Sequence, residues 1–274
     1  MPEGPEITYL SVLLKKKLES YNFKEIISYT KNPPSIPKFN EKIHPIINID
    51  SKGKLLWFVI TDNKINYYLH IHFGLTGWIV FNKPDSNIKF EFIFENKNLD
   101  NLLYFYIEDK RRLSKINFYT EKEHLKIINK LGIDIFSDQF TYNNFINIIK
   151  KKNTILASFL LKQDLICGIG NYIKNEVLYL GKLNVKIKTN ELKDEQIKKL
   201  YYDILFVAYS NLIEMLKKSK INKFLNIEKK TFMPKILEIP YEYKIYEKDF
   251  TSDGKKIFKI NVGGRNTYCI KEQC

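Results

Sequence analysis

The residues best equipped for covalent chemistry open the chain, Met1-Pro2-Glu3-Gly4-Pro5-Glu6. Removal of Met1, usual before a small residue, leaves Pro2 with a free secondary amine. An α-amino group has a pKa of roughly 7.7–8.0, so part of the population is unprotonated near neutral pH. Such a nitrogen attacks a carbonyl-type carbon to give a Schiff base, an established route of covalent catalysis. Glu3 sets a carboxyl group beside it, and Gly4 permits an unusual backbone turn. Pro5 suits the first helical position and Glu6 the positive end of a helix dipole. The same six residues would also serve as a plain polar leader to a helix, so the rest of the chain has to decide between the two readings.

A nucleophile is useful only when it is held. Ile7, Leu10, Leu14 and Leu18 mark one apolar helix face directly after it. The stretch Tyr21–Ser51 reads as irregular or strand-like, broken by Pro33, Pro34, Pro37 and Pro45. From Leu55 the period becomes that of strands: Leu55–Ile60, Ile65–Phe73, Trp78–Phe81, Ile88–Phe94, Leu102–Glu108 and Lys115–Tyr119. Closely spaced antiparallel strands of this kind predict a β-sandwich. Helical periodicity begins near Glu121, with Gly132 as a candidate cap, and continues around Tyr142–Lys151, Ile155–Leu161 and Tyr172–Leu180, where Gly181 can stop it. A long helix is predicted from Asp194 to Lys218, and strand character returns in the tail after Tyr243. The fold class is therefore α+β: an N-terminal helix with an antiparallel sandwich, then a mostly helical domain, then a C-terminal hairpin. Boundaries are expected at 1–122, 123–238 and 239–274.

Composition narrows the partner. The 274 residues carry a net charge of +14, which suits a polyanion, most often nucleic acid. Part of that charge belongs to a background rich in Lys, Asn and Ile, so arginine is the more telling residue. It occurs only at Arg111, Arg112 and Arg265, and it does what lysine does poorly, bidentate contact with phosphate or base. No apolar run approaches the ~20 residues of a membrane span and no signal peptide is visible, so a soluble intracellular protein without a membrane partner is expected. Three cysteines, an odd number, speak against a disulfide framework.

Gly168-Ile169-Gly170-Asn171 at the start of a predicted helix is by itself a weak phosphate signal. Set beside Leu160-Leu161-Lys162-Gln163 and Asn175-Glu176-Val177-Leu178, it resembles the helix–two-turns–helix of the Fpg/Nei family, the formamidopyrimidine-DNA glycosylases and endonuclease VIII enzymes. The opening six residues resemble that family's N-terminus. Lys52-Gly53-Lys54-Leu55-Leu56, His72-Phe73-Gly74-Leu75-Thr76-Gly77 and Asp109-Lys110-Arg111-Arg112 also match, in the family's order and across the chain.

The resemblance implies a base-excision glycosylase with AP lyase activity acting on DNA that carries a damaged base or abasic site, duplex or single-stranded. Pro2 would attack C1′, with Glu3 as general acid/base, Glu6 in support and Lys54 at the same site. Lys54, His72, Asn171 and Arg265 would bind phosphates, contacts that position DNA without reading sequence. Leu75, Arg111 and Leu113 would fill the void left by an extruded nucleotide. Read without the family, Leu75 and Leu113 are core leucines and His72 is a satisfied strand histidine. Leu113 departs from the aromatic residue usual there. The tail has only Cys269 and Cys274 and no histidine beyond His124, too few ligands for a four-coordinate zinc site. Gly263-Gly264-Arg265-Asn266-Thr267-Tyr268 still resembles the finger turn, so the resemblance implies a zincless finger, a Nei-like enzyme preferring oxidised pyrimidines, and no metal or cofactor. A monomer is expected. The alternatives are an oxidised-purine glycosylase and a non-catalytic binder of damaged DNA.

Overall fold

The computed structural model describes residues 2–221 and 241–274. The expected boundary at 238/239 lies outside the described residues, as does Met1. The chain divides into two compact units, residues 1–130 and 131–274.

The first unit opens with α1 (Gly4–Lys17), whose Ile7, Leu10 and Leu14 are fully buried. Acidic Glu6 lies in its first turn and Lys15, Lys16 and Lys17 in its last, each complementing the dipole. Eight strands follow: β1 (Tyr21–Ser28), β2 (Ile46–Lys52), β3 (Leu55–Asp62), β4 (Ile65–His72), β5 (Trp78–Val80), β6 (Ile88–Asn96), β7 (Leu102–Glu108) and β8 (Lys115–Tyr119). They form two antiparallel four-stranded sheets, ordered β1-β6-β7-β5 and β2-β3-β4-β8. Phe90, Phe92 and Phe94 of β6 alternate into a core that also holds Phe58, Leu69, Ile71, Phe105 and the apolar face of α1. Each such side chain stabilises by roughly 1.5–3 kcal/mol when fully buried. Leu56 to Ile60 of β3 are buried without alternation, because both faces of that strand are covered.

Helix α2 (Glu121–Ile128) belongs to this unit and packs on β4 and β8. Its Thr120/Glu123 capping box fixes the start. The helix stops at Ile128, short of Gly132, whose role is different from the cap expected of it. A Cβ at Gly132 would stand 2.2 Å from the Leu165 carbonyl carbon, so glycine is required for a close backbone approach.

The second unit holds α3 (Tyr142–Lys150), α4 (Leu156–Phe159), α5 (Asn171–Leu180) and α6 (Asp194–Lys218), with the two-residue parallel strands β9 (Ile133–Asp134) and β10 (Ile166–Cys167). The tail forms a hairpin of β11 (Phe258–Val262) and β12 (Arg265–Cys269), turning at Gly263-Gly264. Gly263 has φ +61, and a Cβ there would stand 2.1 Å from the Ser158 hydroxyl, so the hairpin turn lies directly on α4. Cys269 and Cys274 form a disulfide. This corrects the reading of the odd cysteine count: the left-over thiol is Cys167, which is buried, and the other two pair across the last residues of the chain. Among the described residues no helix is long and apolar enough to cross a membrane.

Candidate active site and nucleic-acid interface

At the amino end, the Glu6 carboxylate accepts the Glu3 backbone N–H at 2.8 Å. Glu3 is 1% exposed, and Gly4 and Pro5 are buried behind it. Gly4 is the first helical residue and does not make the left-handed turn that its type allowed. The helix is tied to β2 through the Ser51 and Ser11 hydroxyls, 3.3 Å apart. Pro2, half-buried, therefore precedes a fixed anchor by one residue.

Lys54 follows Gly53 in the two-residue connection between β2 and β3, where Gly53 takes φ +60. His72 ends β4, exposed, while His70 on the same strand is buried. The two histidines that share a strand face thus have separate fates. His72 Nδ1 accepts the Gly74 N–H at 3.2 Å. The ring's surroundings, then the charges of Lys115 and Lys54, lower its pKa below the ordinary value. A neutral ring with Nδ1 as acceptor carries its proton on Nε2, so His72 offers a donor without charge beside cationic Lys54.

Leu75 lies in the turn Gly74–Gly77, closed by the Gly77 N–H on Phe73 O at 2.9 Å. Gly74 has φ +61, and a Cβ there would stand 2.7 Å from Leu113 Cβ. That turn therefore packs against the loop that carries Arg111 and Leu113. Asp109, fully buried, fastens the two. Its Oδ1 accepts the Thr76 hydroxyl at 2.5 Å and the Arg111 N–H at 3.2 Å, and its Oδ2 accepts the Ser114 N–H at 2.6 Å. Burial alone would push this carboxyl up, but the bonds from Thr76, Ser114 and Arg111 hold it below the usual carboxylate value. Lys89, also buried, donates to Arg112 O at 2.5 Å and to Ser114 O, bracing the loop from β6. Leu113 is 41% exposed and Leu75 half-buried, so neither is a core leucine. The sequence reading gave Asp109 and Lys89 no task. A charged residue inside an otherwise strand-like run was the only signal for Lys89.

In the second unit, Gln163 splints the turn before α5, accepting the Gly168 N–H at 3.1 Å and donating to Ile169 O at 2.9 Å. Gly168 has φ +103 and Gly170 caps the helix, so Asn171 sits in its first turn. Lys174, Asn175 and Glu176 on α5 are all fully buried. The Lys174 ammonium donates to Asn171 Oδ1 at 2.9 Å, Asn266 O at 3.1 Å and Thr267 Oγ1 at 2.9 Å. Asn175 accepts the Tyr268 N–H at 2.9 Å. Glu176 accepts the N–H groups of Lys244, Ile245 and Tyr246 at 2.8, 3.0 and 2.8 Å, and the Tyr241 hydroxyl. One lysine thus joins the Asn171 side chain to the residues that follow exposed Arg265 on β12. With its oxygen turned to Lys174, the Asn171 carboxamide has its NH2 left to donate elsewhere. The sequence pattern singled out the helix over Tyr172–Leu180 but not Lys174 within it. Among the described residues no group of three or more His, Cys, Asp or Glu side chains could hold a metal ion.

Comparison with known proteins gives a consistent answer. Residues 1–116 match the family model described as the formamidopyrimidine-DNA glycosylase N-terminal domain, and residues 131–222 match its H2TH domain. The formamidopyrimidine-DNA glycosylase of Mycoplasma mobile is 26% identical over 99% of this chain and 98% of its own length. That of Protochlamydia amoebophila is 30% identical over 76% of this chain and 75% of its own. Among solved structures, the Thermus thermophilus protein superimposes with a TM-score of 0.75 at 19% identity, covering 99% of this chain and 98% of that one. The Lactococcus lactis enzyme bound to DNA containing an AP site gives 0.73 at 18% identity, covering 98% and 97%. The same enzyme with DNA containing an oxidised pyrimidine gives 0.72 at 20% identity, covering 98% of each chain.

Proposed function

The chain belongs to the formamidopyrimidine-DNA glycosylase family, and from that premise we propose that it is a bifunctional glycosylase and AP lyase of base-excision repair. The observation that supports this most directly is the Glu6–Glu3 hydrogen bond at 2.8 Å, which fixes residue 2 in front of a buried helix. With Met1 removed, the Pro2 nitrogen attacks C1′ of the damaged nucleotide and the bond from C1′ to the base breaks. The base departs with a proton, and the sugar ring opens with protonation of its oxygen, for which buried Glu3 is the nearest candidate acid. The resulting iminium acidifies the hydrogen on C2′. Loss of that proton expels the 3′-phosphate and nicks the strand, so one amine serves both steps. Glu6 holds Glu3 in place.

Lys54 and His72 in the first unit, and Asn171 and Arg265 in the second, are proposed to grip phosphates of the damaged strand. Leu75, Arg111 and Leu113 are proposed to enter the stack when the base leaves it. For substrate, the family name of the relatives supports ring-opened and oxidised purines. An oxidised-pyrimidine activity is the second reading, favoured by the exposed aliphatic Leu113 where an aromatic residue is usual and by a relative solved with such a lesion.

The decisive experiment is borohydride trapping on duplexes carrying an abasic site, a formamidopyrimidine or an oxidised pyrimidine. The wild-type protein should form a covalent adduct, and Pro2→Ala or a blocked terminus should abolish it. Normal binding with no adduct and no nick on any of the three would leave a non-catalytic binder. The ratio of nicking rates on the two lesions ranks the two substrate readings.

A further inference from the structure

A hollow of about 710 Å3 opens on the first unit beside the Arg111–Leu113 loop. That volume lies within the ~300–1,000 Å3 of ordinary ligand sites. Its wall carries Lys31, Lys89, Arg112 and Lys115. Lys89 forms a buried support through Arg112 O and Ser114 O, and the Arg112 guanidinium is turned back to the Tyr29 carbonyl. Lys31 and Lys115 are exposed. Among the described residues its wall carries no carboxylate: Glu91 is buried and accepts the Tyr29 hydroxyl at 2.6 Å, and Asp109, whose charge reaches Lys89, is buried and takes the bonds from Thr76, Arg111 and Ser114.

Two features connect this hollow with nucleic acid. Lys115 faces His72 across β4 and β8 and contributes to lowering its pKa, so a cationic side chain on the wall of the hollow stands next to His72. The hollow also shares one loop with the wedge: Arg111, Arg112 and Leu113 are all exposed, and Arg112, at φ +53, turns its guanidinium to the Tyr29 carbonyl at the hollow. A loop that enters a duplex between its strands has phosphates of both strands within reach. Lys54 and His72 account for one of them.

We propose that the hollow seats phosphodiester groups of the undamaged strand, opposite the extruded nucleotide, with Lys31 and Lys115 as its exposed donors. The inference rests on the wedge reading given above. It gives the enzyme a grip on the strand it does not cut, which keeps the two strands apart while the void is filled.

The test uses lesion duplexes in which single phosphates are replaced by uncharged methylphosphonates, one position at a time on either strand. Binding of the wild-type protein should weaken at one or two linkages of the undamaged strand. Lys31→Gln/Lys115→Gln should bind the all-phosphate duplex about tenfold more weakly, with a salt slope lower by about 2, and should be insensitive at those linkages. The double variant and the wild type should respond alike to replacement in the damaged strand. If the double variant keeps the wild-type sensitivity on the undamaged strand, or if no linkage there matters to the wild type, the proposal is overturned. Borohydride trapping in the same samples reports on Pro2 separately, so a failure of the glycosylase reading would be seen as lost adduct with the strand pattern unchanged.

Discussion

The Thr76 hydroxyl donates to Asp109 Oδ1 over 2.5 Å, and through that bond the turn carrying Leu75 and the loop carrying Arg111 and Leu113 become one piece. Asp109→Asn replaces an acceptor oxygen by a donor NH2 at a buried site that accepts three hydrogen bonds, and should cost about 2–4 kcal/mol in urea unfolding. The carboxyl is held below the ordinary aspartate value. Its contribution is therefore complete above the unfolded-state pKa and is lost as pH falls through the lower folded value. Wild-type stability should fall below about pH 4, and the variant should show a shallower decline there.

Leu75→Ala should impair base extrusion more than overall affinity. A fluorescent base opposite the lesion would report stacking changes, and single-turnover excision should slow by about tenfold or more while the dissociation constant moves little. Equal lesion processing by the variant would remove Leu75 from the wedge.

Lys174→Met should release both the Asn171 carboxamide and the start of β12. Loss of a fully buried, triply bonded ammonium removes the register that keeps Arg265 beside α5. Duplex binding should weaken and its salt slope should fall by about 1, as for Arg265→Ala. Combining the two changes should add little. Full additivity in the double variant would show that Lys174 does not act through the hairpin.

Folding should respond to mild acid through the pair His70 and His124, whose ring nitrogens lie 2.8 Å apart in the interior. Burial, and then His124, push His70 down to about 4. Burial lowers His124 too, against the charge of Glu121. Trp57, Tyr68 and Tyr119 close the rest of the cluster. Because the folded pKa lies below the unfolded 6.5, the contribution is complete above about pH 6.5 and is lost as pH falls toward 4, on the order of 3 kcal/mol for His70. Chemical denaturation at pH 7 and pH 4.5 would measure it. His70→Gln/His124→Gln, which keeps hydrogen-bonding groups but does not titrate, should flatten the difference.

The parts legible in the sequence were those written in local patterns. Alternation in Ile88–Phe94 gave β6, the apolar face from Ile7 to Leu18 gave α1, and the Gly74–Gly77 turn was visible from its glycines. The disulfide between Cys269 and Cys274 ran against an argument from cysteine parity, which is silent about a single short bridge. Lys174 and Lys89 were illegible for another reason. A lysine in a helix or strand reads as a solvated side chain unless the segment that buries it is known, and Lys174 bonds to a residue 92 positions away. Asp109 stands in a recognisable motif, but its work is to accept a hydrogen bond from Thr76, 33 positions earlier, which spacing along the chain does not reveal.

Lys174, Asn175 and Glu176 occupy consecutive positions on one helix, and each successive residue is turned by about 100°. The tail they hold must therefore wrap part way round α5 like a sleeve. A single added or deleted residue between Asn171 and Lys174 would rotate all three attachments out of phase at once, so the spacing of this stretch is constrained more tightly than its composition.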